Sequence, residues 1–323
     1  MLKTAESVSP RHPDKLCDRI SDAILDECLR QDPMSRVAME TMGGHGVVTV
    51  TGELTTRAKV DVEKIVRRIA GDKIQQISVN IVRQSPEIAN GVDTGGAGDQ
   101  GIMVGYACRD NEDYVPQELY LARNLNKLIF SEFSFDGKTQ VTMNDGRIFS
   151  VVASFQNAKS AELRRIVDGW LNGKPVHGEL TIFTNPAGDW NLGGFDADTG
   201  LTGRKIICDA YGPQIPVGGG AYSGKDGTKV DRSGAYMARK IAVDAAKKVG
   251  GEVLVKLAYA IGKKEPLMVT VTRPGSADSL PGINLNQYDL TPNGIINFLE
   301  LRKPQFERTA EWGSYGNNFM WDK

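Results

Sequence analysis

Histidine is scarce in this chain, with three residues in 323. Cysteine is nearly as rare: Cys17, Cys28, Cys108 and Cys208 are scattered, with no pair at CxxC spacing. That pattern speaks against a zinc site or a disulfide framework and fits free thiols in a reducing cytosol. No apolar run approaches the ~18 residues a spanning helix needs. The N-terminus reaches charged residues at once, so no signal peptide is expected. An excess of one charge is also lacking. The 39 Lys and Arg residues face 40 Asp and Glu, for a net charge of −1. Broad attraction to nucleic acid or to a membrane surface is therefore not expected, and any site for a polyanion must be local.

What remains is an ordinary globular composition, 40% hydrophobic and 24% charged, long enough for two or three well-buried domains. Its most informative stretch is Gly218-Gly219-Gly220-Ala221-Tyr222-Ser223-Gly224-Lys225-Asp226, followed by Lys229-Val230-Asp231-Arg232-Ser233. Glycines let a backbone bend and present its N–H groups. The lysines suit phosphate oxygens, and the carboxylates suit Mg²⁺. A Walker A loop would need a hydroxyl where Asp226 stands, which argues against a P-loop kinase or ATPase. Taken alone, the run also reads as a flexible surface loop.

Helices and strands alternate without the strict rhythm of a Rossmann fold. Leu16, Ile20, Ala23, Ile24 and Cys28 predict an amphipathic helix over 14–30. Strands are expected at 36–42 and 47–54, joined through Gly43-Gly44-His45-Gly46, then a helix at 61–70 and a strand at 77–82. Residues 84–101 read as one long loop of the kind that forms lids. A second round follows: helix 116–132, strands 140–143 and 147–155 across Asn144-Asp145-Gly146, helix 160–171 and strand 178–184. The third has helix 233–249, strands 252–261 and 267–273, and a helix from Thr291-Pro292 to Leu299.

The expected fold is α+β, three similar α/β units in a pseudo-threefold arrangement, with mixed sheets carrying helices on one face. The units are taken as 1–91, 92–194 and 195–323, with a gating loop at 84–97 before the second.

Several other segments carry suitable chemistry. His12-Pro13-Asp14-Lys15 opens the first helix, where free N–H groups favour an anion, although a lone histidine beside proline is often structural. Glu40 and Glu53 lie on neighbouring strands and read equally as solvent-face carboxylates. The run from Asp198 to Lys205 places two cations after a glycine turn, suited to phosphate or to a charged element end. Trp190 follows the turn at Asn185 and reads as core or as a stacking platform.

Together these segments closely resemble the S-adenosylmethionine synthetase (methionine adenosyltransferase) family, in collinear order over almost the whole chain. The matching pieces are Glu6-Ser7-Val8-Ser9, His12-Pro13-Asp14-Lys15, Gly52-Glu53, Gln84-Ser85-Pro86 and Gly96-Ala97-Gly98-Asp99-Gln100-Gly101. Further on come Gly200-Leu201-Thr202-Gly203-Arg204-Lys205, the glycine loop, Lys229 to Ser233, and Tyr259-Ala260-Ile261-Gly262.

The resemblance implies a reaction in which the methionine thioether attacks C5′ of ATP and displaces the whole triphosphate, which is then hydrolysed to pyrophosphate and phosphate. A thioether has no proton to lose, so this step needs no general base. Catalysis must come from alignment and from stabilising charge on the leaving group. The chain matches that demand with cations and carboxylates, and with no Ser-His-Asp or Cys-His set.

The resemblance also assigns residues. His12 would lie near the ribose–triphosphate bond, forming the catalytic set with Lys138, Arg204, Lys225 and Lys229. Lys205 joins these lysines and Arg204 in clamping phosphates, with Lys225 closest to the backbone donors of the glycine loop. Asp136, Trp190, Asp198 and Ala221 complete the ATP site. Glu53, Gln84, Asp99, Asp198 and Lys229 would bind methionine. Asp14 and Asp231 would hold two Mg²⁺, and Glu40 would hold K⁺. A cytoplasmic homodimer or homotetramer is implied, with each site built from two subunits.

The chain departs from the family pattern at several points. Pro10-Arg11 replaces Glu-Gly, adding a cation beside the expected phosphate site. Asp189-Trp190 stands where Arg-Phe is usual, and Asp136-Gly137-Lys138 where Asp-Ala-Lys is. The gating loop is shorter between Asp93 and Gly96, the segment after Arg67 is trimmed, and the customary C-terminal helix is lacking. These departures describe a compact form. They leave a second reading, a catalytically weak relative that binds ATP or S-adenosylmethionine as an assembly partner. Such a relative would have no need of His12, Asp14, Lys225, Lys229 and Asp231 together.

Overall fold

A computed structural model describes residues 1–84 and 95–323. The first round of the chain comprises β1 (Leu2–Val8), α1 (Pro13–Gln31), β2 (Arg36–Gly44), β3 (Val47–Thr55), α2 (Val62–Ala70) and β4 (Gln76–Val82). The second repeats it: β5 (Gly101–Ala107), α3 (Gln117–Glu132), β6 (Gly137–Asn144), β7 (Arg147–Phe155), α4 (Ser160–Leu171) and β8 (Val176–Thr184). The third has β9 (Gly200–Leu201), a single turn α5 (Ile206–Asp209), α6 (Val230–Val249), the hairpin β10 (Val253–Tyr259) and β11 (Met268–Thr272), and α7 (Pro292–Phe298) and α8 (Phe306–Trp312).

The rounds interlock. Each hairpin pairs antiparallel, but the opening strand of each round leaves its own hairpin for another. Strand β1 pairs with β6, β5 with β10, and β9 with β2. The sheets therefore run β1-β6-β7-β8, β5-β10-β11 and β9-β2-β3-β4; all three share the order of opening strand then hairpin, and two add a fourth strand among the described residues. Helices α2 and α4 carry the chain across to the parallel partners β4 and β8, since parallel neighbours need a crossover. The result is a mixed α/β fold with mixed sheets.

Among the described residues two apolar cores form. One joins the first and third rounds with strand β5, from Leu16, Ile20 and Ile24 of α1 through Met103 and Tyr106 to Ile241 and Ala242 of α6. The other belongs to the second round and packs Leu125 and Ile129 of α3 against Val141 and Val151. Helix α1 is buried on nearly every side rather than amphipathic, because β2, β9, α2 and α8 all pack on it.

Strands β1 and β5 and helix α8 go beyond the sequence expectation. The alternation in β5 is interrupted by Gly101 and Gly105, so the strand reads as the end of a loop. Packing demands the second glycine: a β-carbon at Gly105 would lie 2.0 Å from the Ala238 carbonyl carbon in α6. The expected gating loop falls largely on residues 85–94, outside the described residues.

Candidate active site

Four carboxylates recur every fourth residue along α1: Asp14, Asp18, Asp22 and Asp26, exposed by only 2%, 1%, 0% and 8%. Spacing of four keeps them on one stripe of the helix. Each accepts hydrogen bonds from a different part of the backbone. Asp14 holds the Leu201 N–H at 2.9 Å, Asp18 that of Gly203 at 2.8 Å, and Asp22 that of Gly224 at 2.7 Å. Asp26 caps the start of α8 through the N–H groups of Gln305, Phe306 and Glu307. Between them the Ser21 hydroxyl meets Thr41 and Thr202 at 2.8 and 2.9 Å.

One helix thus positions both phosphate-type segments, 198–205 and the glycine loop. Among these four, sequence reasoning singled out only Asp14. The regular spacing is visible in the chain, but on a helix taken as amphipathic it reads as a solvated face.

Buried charge must be balanced, and the stripe recruits its own cations. Lys15, itself fully buried, donates to Asp18 at 3.3 Å and to Asp209 at 2.5 Å. Burial pushes the Asp18 carboxyl up to about 7, with Lys15 opposing the rise. Lys205 donates to Asp14 at 2.6 Å, and the Arg204 guanidinium lies 3.6 Å from the same carboxylate. Burial works to raise the Asp14 pKa, yet the bond from Lys205 and the Leu201 N–H hold it below the usual range.

His12 caps α1. Its Nδ1 accepts the Asp14 N–H at 3.2 Å, which leaves the proton of a neutral ring on Nε2. Burial first, then Lys205 and Lys138, drive the imidazole pKa down to about 3, so the ring stays neutral. Lys138 is exposed on β6 opposite Val8, close enough to act on His12. Asp136 accepts the Gly194 N–H at 3.0 Å. Burial raises its pKa, against the pull of that N–H and of Lys138. Asp198 is exposed and near enough to raise the Asp136 pKa. Trp190 is half-buried beside Gly193, where a β-carbon would lie 2.8 Å from its ring. These residues form one wall.

The glycine loop forms the other. Lys225 donates to Asp231 at 2.7 Å, and Lys229 to Asp226 at 2.6 Å. Residues 230–232 belong to the first turn of α6, earlier than expected, with Lys229 at its N-cap. The loop presents fewer free backbone donors than its composition suggests. The N–H groups of Gly224, Lys225 and Asp226 bond Asp22, the Tyr222 carbonyl and the Val37 carbonyl.

Its glycines answer crowding instead. Gly224 has φ +81°, and a β-carbon there would lie 2.0 Å from the Met39 oxygen; one at Gly220 would lie 2.4 Å from the Asp231 carboxyl carbon. The walls touch where a β-carbon on Gly203 would meet that of Ala221 at 2.5 Å. Glu40 stands on β2 near Lys225, where partial burial raises its carboxyl against the pull of that lysine.

The methionine-type residues are less integrated. Glu53 lies on β3 opposite Ala38. Asp99 is exposed and bonds only the neighbouring Gln100 N–H among the described residues. The Gln84 side-chain oxygen is buried without a hydrogen-bond partner there.

Among the described residues no three His, Cys, Asp or Glu side chains gather as a metal cage. Asp14 and Asp231 are instead single carboxylates, Asp14 paired with Lys205 and Arg204 and Asp231 with Lys225. Mg²⁺ keeps several waters and is commonly held by one or two carboxylates plus substrate phosphates. The donor set fits a metal that arrives with a polyphosphate.

Three family models tile the chain: the N-terminal domain of S-adenosylmethionine synthetase over residues 1–87, the central domain over 94–189, and the C-terminal domain over 192–323. An S-adenosylmethionine synthase of Brachyspira hyodysenteriae is 40% identical, with 99% of this chain and 95% of the relative covered. The chain belongs to the S-adenosylmethionine synthetase family. A synthase of Treponema denticola is also 40% identical, and one of Rhodopseudomonas palustris 38%, each over 99% of this chain and 95% of its own length.

The alignment to the Brachyspira protein runs to 374 residues against 323 here, so this synthetase is a shortened member. Two of its departures have structural explanations. Arg11 turns away to donate to the Ile69 carbonyl at 3.1 Å, at the end of α2, so it is not a free cation beside the phosphate-type residues as expected. Asp189 accepts the Ser160 N–H at 2.8 Å and caps the start of α4, where an arginine could not.

Proposed function

We propose that this chain makes S-adenosylmethionine from ATP and L-methionine at the two walls described above. Membership of the family, together with relatives named S-adenosylmethionine synthase over nearly their whole length, makes it a methionine adenosyltransferase. The observation that carries the site assignment is the set of lysine–carboxylate pairs, Lys205 with Asp14, Lys225 with Asp231 and Lys229 with Asp226.

In this reading the pairs hold the place of a triphosphate. When the nucleotide binds, Lys138, Arg204, Lys205, Lys225 and Lys229 turn to its oxygens, with Asp136, Asp198, Ala221 and Trp190 around the nucleoside. Asp14 and Asp231 would hold Mg²⁺, which would neutralise phosphate oxygens, and Glu40 would hold K⁺. His12 is neutral and donates through Nε2–H, so it stabilises the departing oxygen without being a base. Removing one donor of this kind slows a reaction by about 10²–10³-fold. Glu53, Gln84, Asp99, Asp198 and Lys229 hold methionine so that its sulfur lines up with C5′. The weak integration of Glu53 and Asp99 within one chain agrees with a homodimer or homotetramer whose sites draw on two subunits.

Among the described residues no helix is long and apolar enough to cross a membrane; a cytoplasmic location belongs to the proposal. The test is incubation with ATP, L-methionine, Mg²⁺ and K⁺, read by mass spectrometry. S-adenosylmethionine should form, fail to form without Mg²⁺, and rise with K⁺. Folded, ATP-binding protein that makes none would support the assembly-partner reading.

A further inference from the structure

A second cleft lies far from these residues, between the first turn of α3 and the ends of β1, β6 and β7. It encloses about 630 Å³, within the range of small-molecule sites, and more of its surface is apolar than polar. Leu121, Met143 and Ile148 give it an apolar floor. Glu118 also lines it, with only 4% of the residue exposed. Among the described residues its carboxyl has no hydrogen-bond partner beyond its own backbone N–H.

An acidic residue in the first turn of a helix is common, because the helix dipole favours it. That accounts for the residue type but not for a carboxyl set against an apolar floor with no partner outside its own residue. Around Glu118 the charges that act on it are Lys3, Asp110 and Glu252, two carboxylates and one ammonium. The cleft is also lined by Lys174 and by Met1 and Asp145, whose ammonium and carboxylate pair with each other. The cleft also stands apart from the proposed active site: β1 and β6 pair from Leu2–Asn144 at its edge to Val8–Lys138 near His12, a span of roughly 20 Å at about 3.4 Å per residue.

We propose that this cleft is a second ligand site, taking a small organic cation whose ammonium group bonds Glu118 and whose aliphatic body lies on Leu121, Met143 and Ile148. A hydrocarbon body uses the floor, and an N–H donor bonds the Glu118 carboxylate. Lys3 limits affinity by competing for the same carboxylate.

Titration calorimetry of the full chain with n-hexylammonium chloride tests the proposal, with hexanoate and hexanol as comparison probes. Hexylammonium should bind saturably at one site per chain, and hexanoate and hexanol much more weakly. Glu118→Gln, which keeps the shape of the side chain, should weaken binding about tenfold or more while S-adenosylmethionine formation stays unchanged. Lys3→Ala alters an exposed side chain and should tighten binding a few-fold as the competing cation is lost. Absence of saturable binding, equal binding of hexanol, or unchanged affinity in Glu118→Gln would overturn the site. Weaker binding in Lys3→Ala would overturn the charge argument, and with it the choice of a cation.

Discussion

Asp22 and Arg232 stand 210 residues apart in sequence and meet as a two-bonded ion pair, 2.6 and 2.7 Å, with neither side chain exposed to solvent. The same guanidinium donates to the Lys225 carbonyl at 2.9 Å, to the Thr309 hydroxyl and to the Tyr236 hydroxyl, and lies over the Phe306 ring. Asp22 in turn holds the Gly224 N–H. The pair therefore fixes the glycine loop from both sides while staying behind it.

Replacing Asp22 by Ala strands a buried guanidinium and frees the loop. Breaking such a pair from one side costs about 3–5 kcal/mol. Urea unfolding of Asp22→Ala should show a loss of that size. A loss well under 1 kcal/mol would mean that the pair is not holding the fold.

The neutrality of His12 has a pH signature. Its folded pKa of about 3 lies below the ~6.5 of an unfolded histidine. Between those values the unfolded chain binds the extra proton, so this group's contribution makes stability fall as pH drops from 6.5 towards 3. Nitrogen NMR at pH 5 should show His12 still neutral with its proton on Nε2. A cationic ring there would remove the neutral donor from the mechanism.

Lys229→Met removes the cation paired with buried Asp226, whose carboxylate also accepts the Val37 and Thr228 N–H groups. The account expects kcat for S-adenosylmethionine formation to fall about 10²–10³-fold, with Lys229→Arg recovering part of it. Near-normal turnover in the Met variant would displace Lys229 from the phosphate clamp.

For Trp190→Ala the KM for ATP should rise several-fold, in line with the ~1–3 kcal/mol that aromatic stacking on a base contributes, while the KM for methionine changes little. Equal effects on both substrates would end the adenine-stacking assignment.

Much of the fold is legible along the chain, and the exceptions are instructive. The hairpins β2–β3 and β6–β7 lie close to where alternation and turn residues placed them. Strand β1 escaped because Lys3 and Glu6 interrupt its apolar period, and only its pairing with β6 completes it. The exchange of opening strands between rounds is a long-range fact that no local pattern encodes. At the site, composition singled out the glycine loop for its free backbone donors. Several of its glycines and N–H groups serve packing against Met39, Asp231 and Asp22. The carboxylate stripe of α1 was hidden by the assumption that a polar residue on a helix faces water.

The central claim, that the two walls hold a triphosphate leaving group cleaved from C5′, is tested most directly by rapid quench of a single turnover. Enzyme in excess over ATP, with saturating methionine, Mg²⁺ and K⁺, should yield S-adenosylmethionine and enzyme-bound triphosphate in equal amounts, with pyrophosphate and phosphate appearing afterwards. ADP or AMP as the first nucleotide product would place bond cleavage within the phosphate chain and contradict the account.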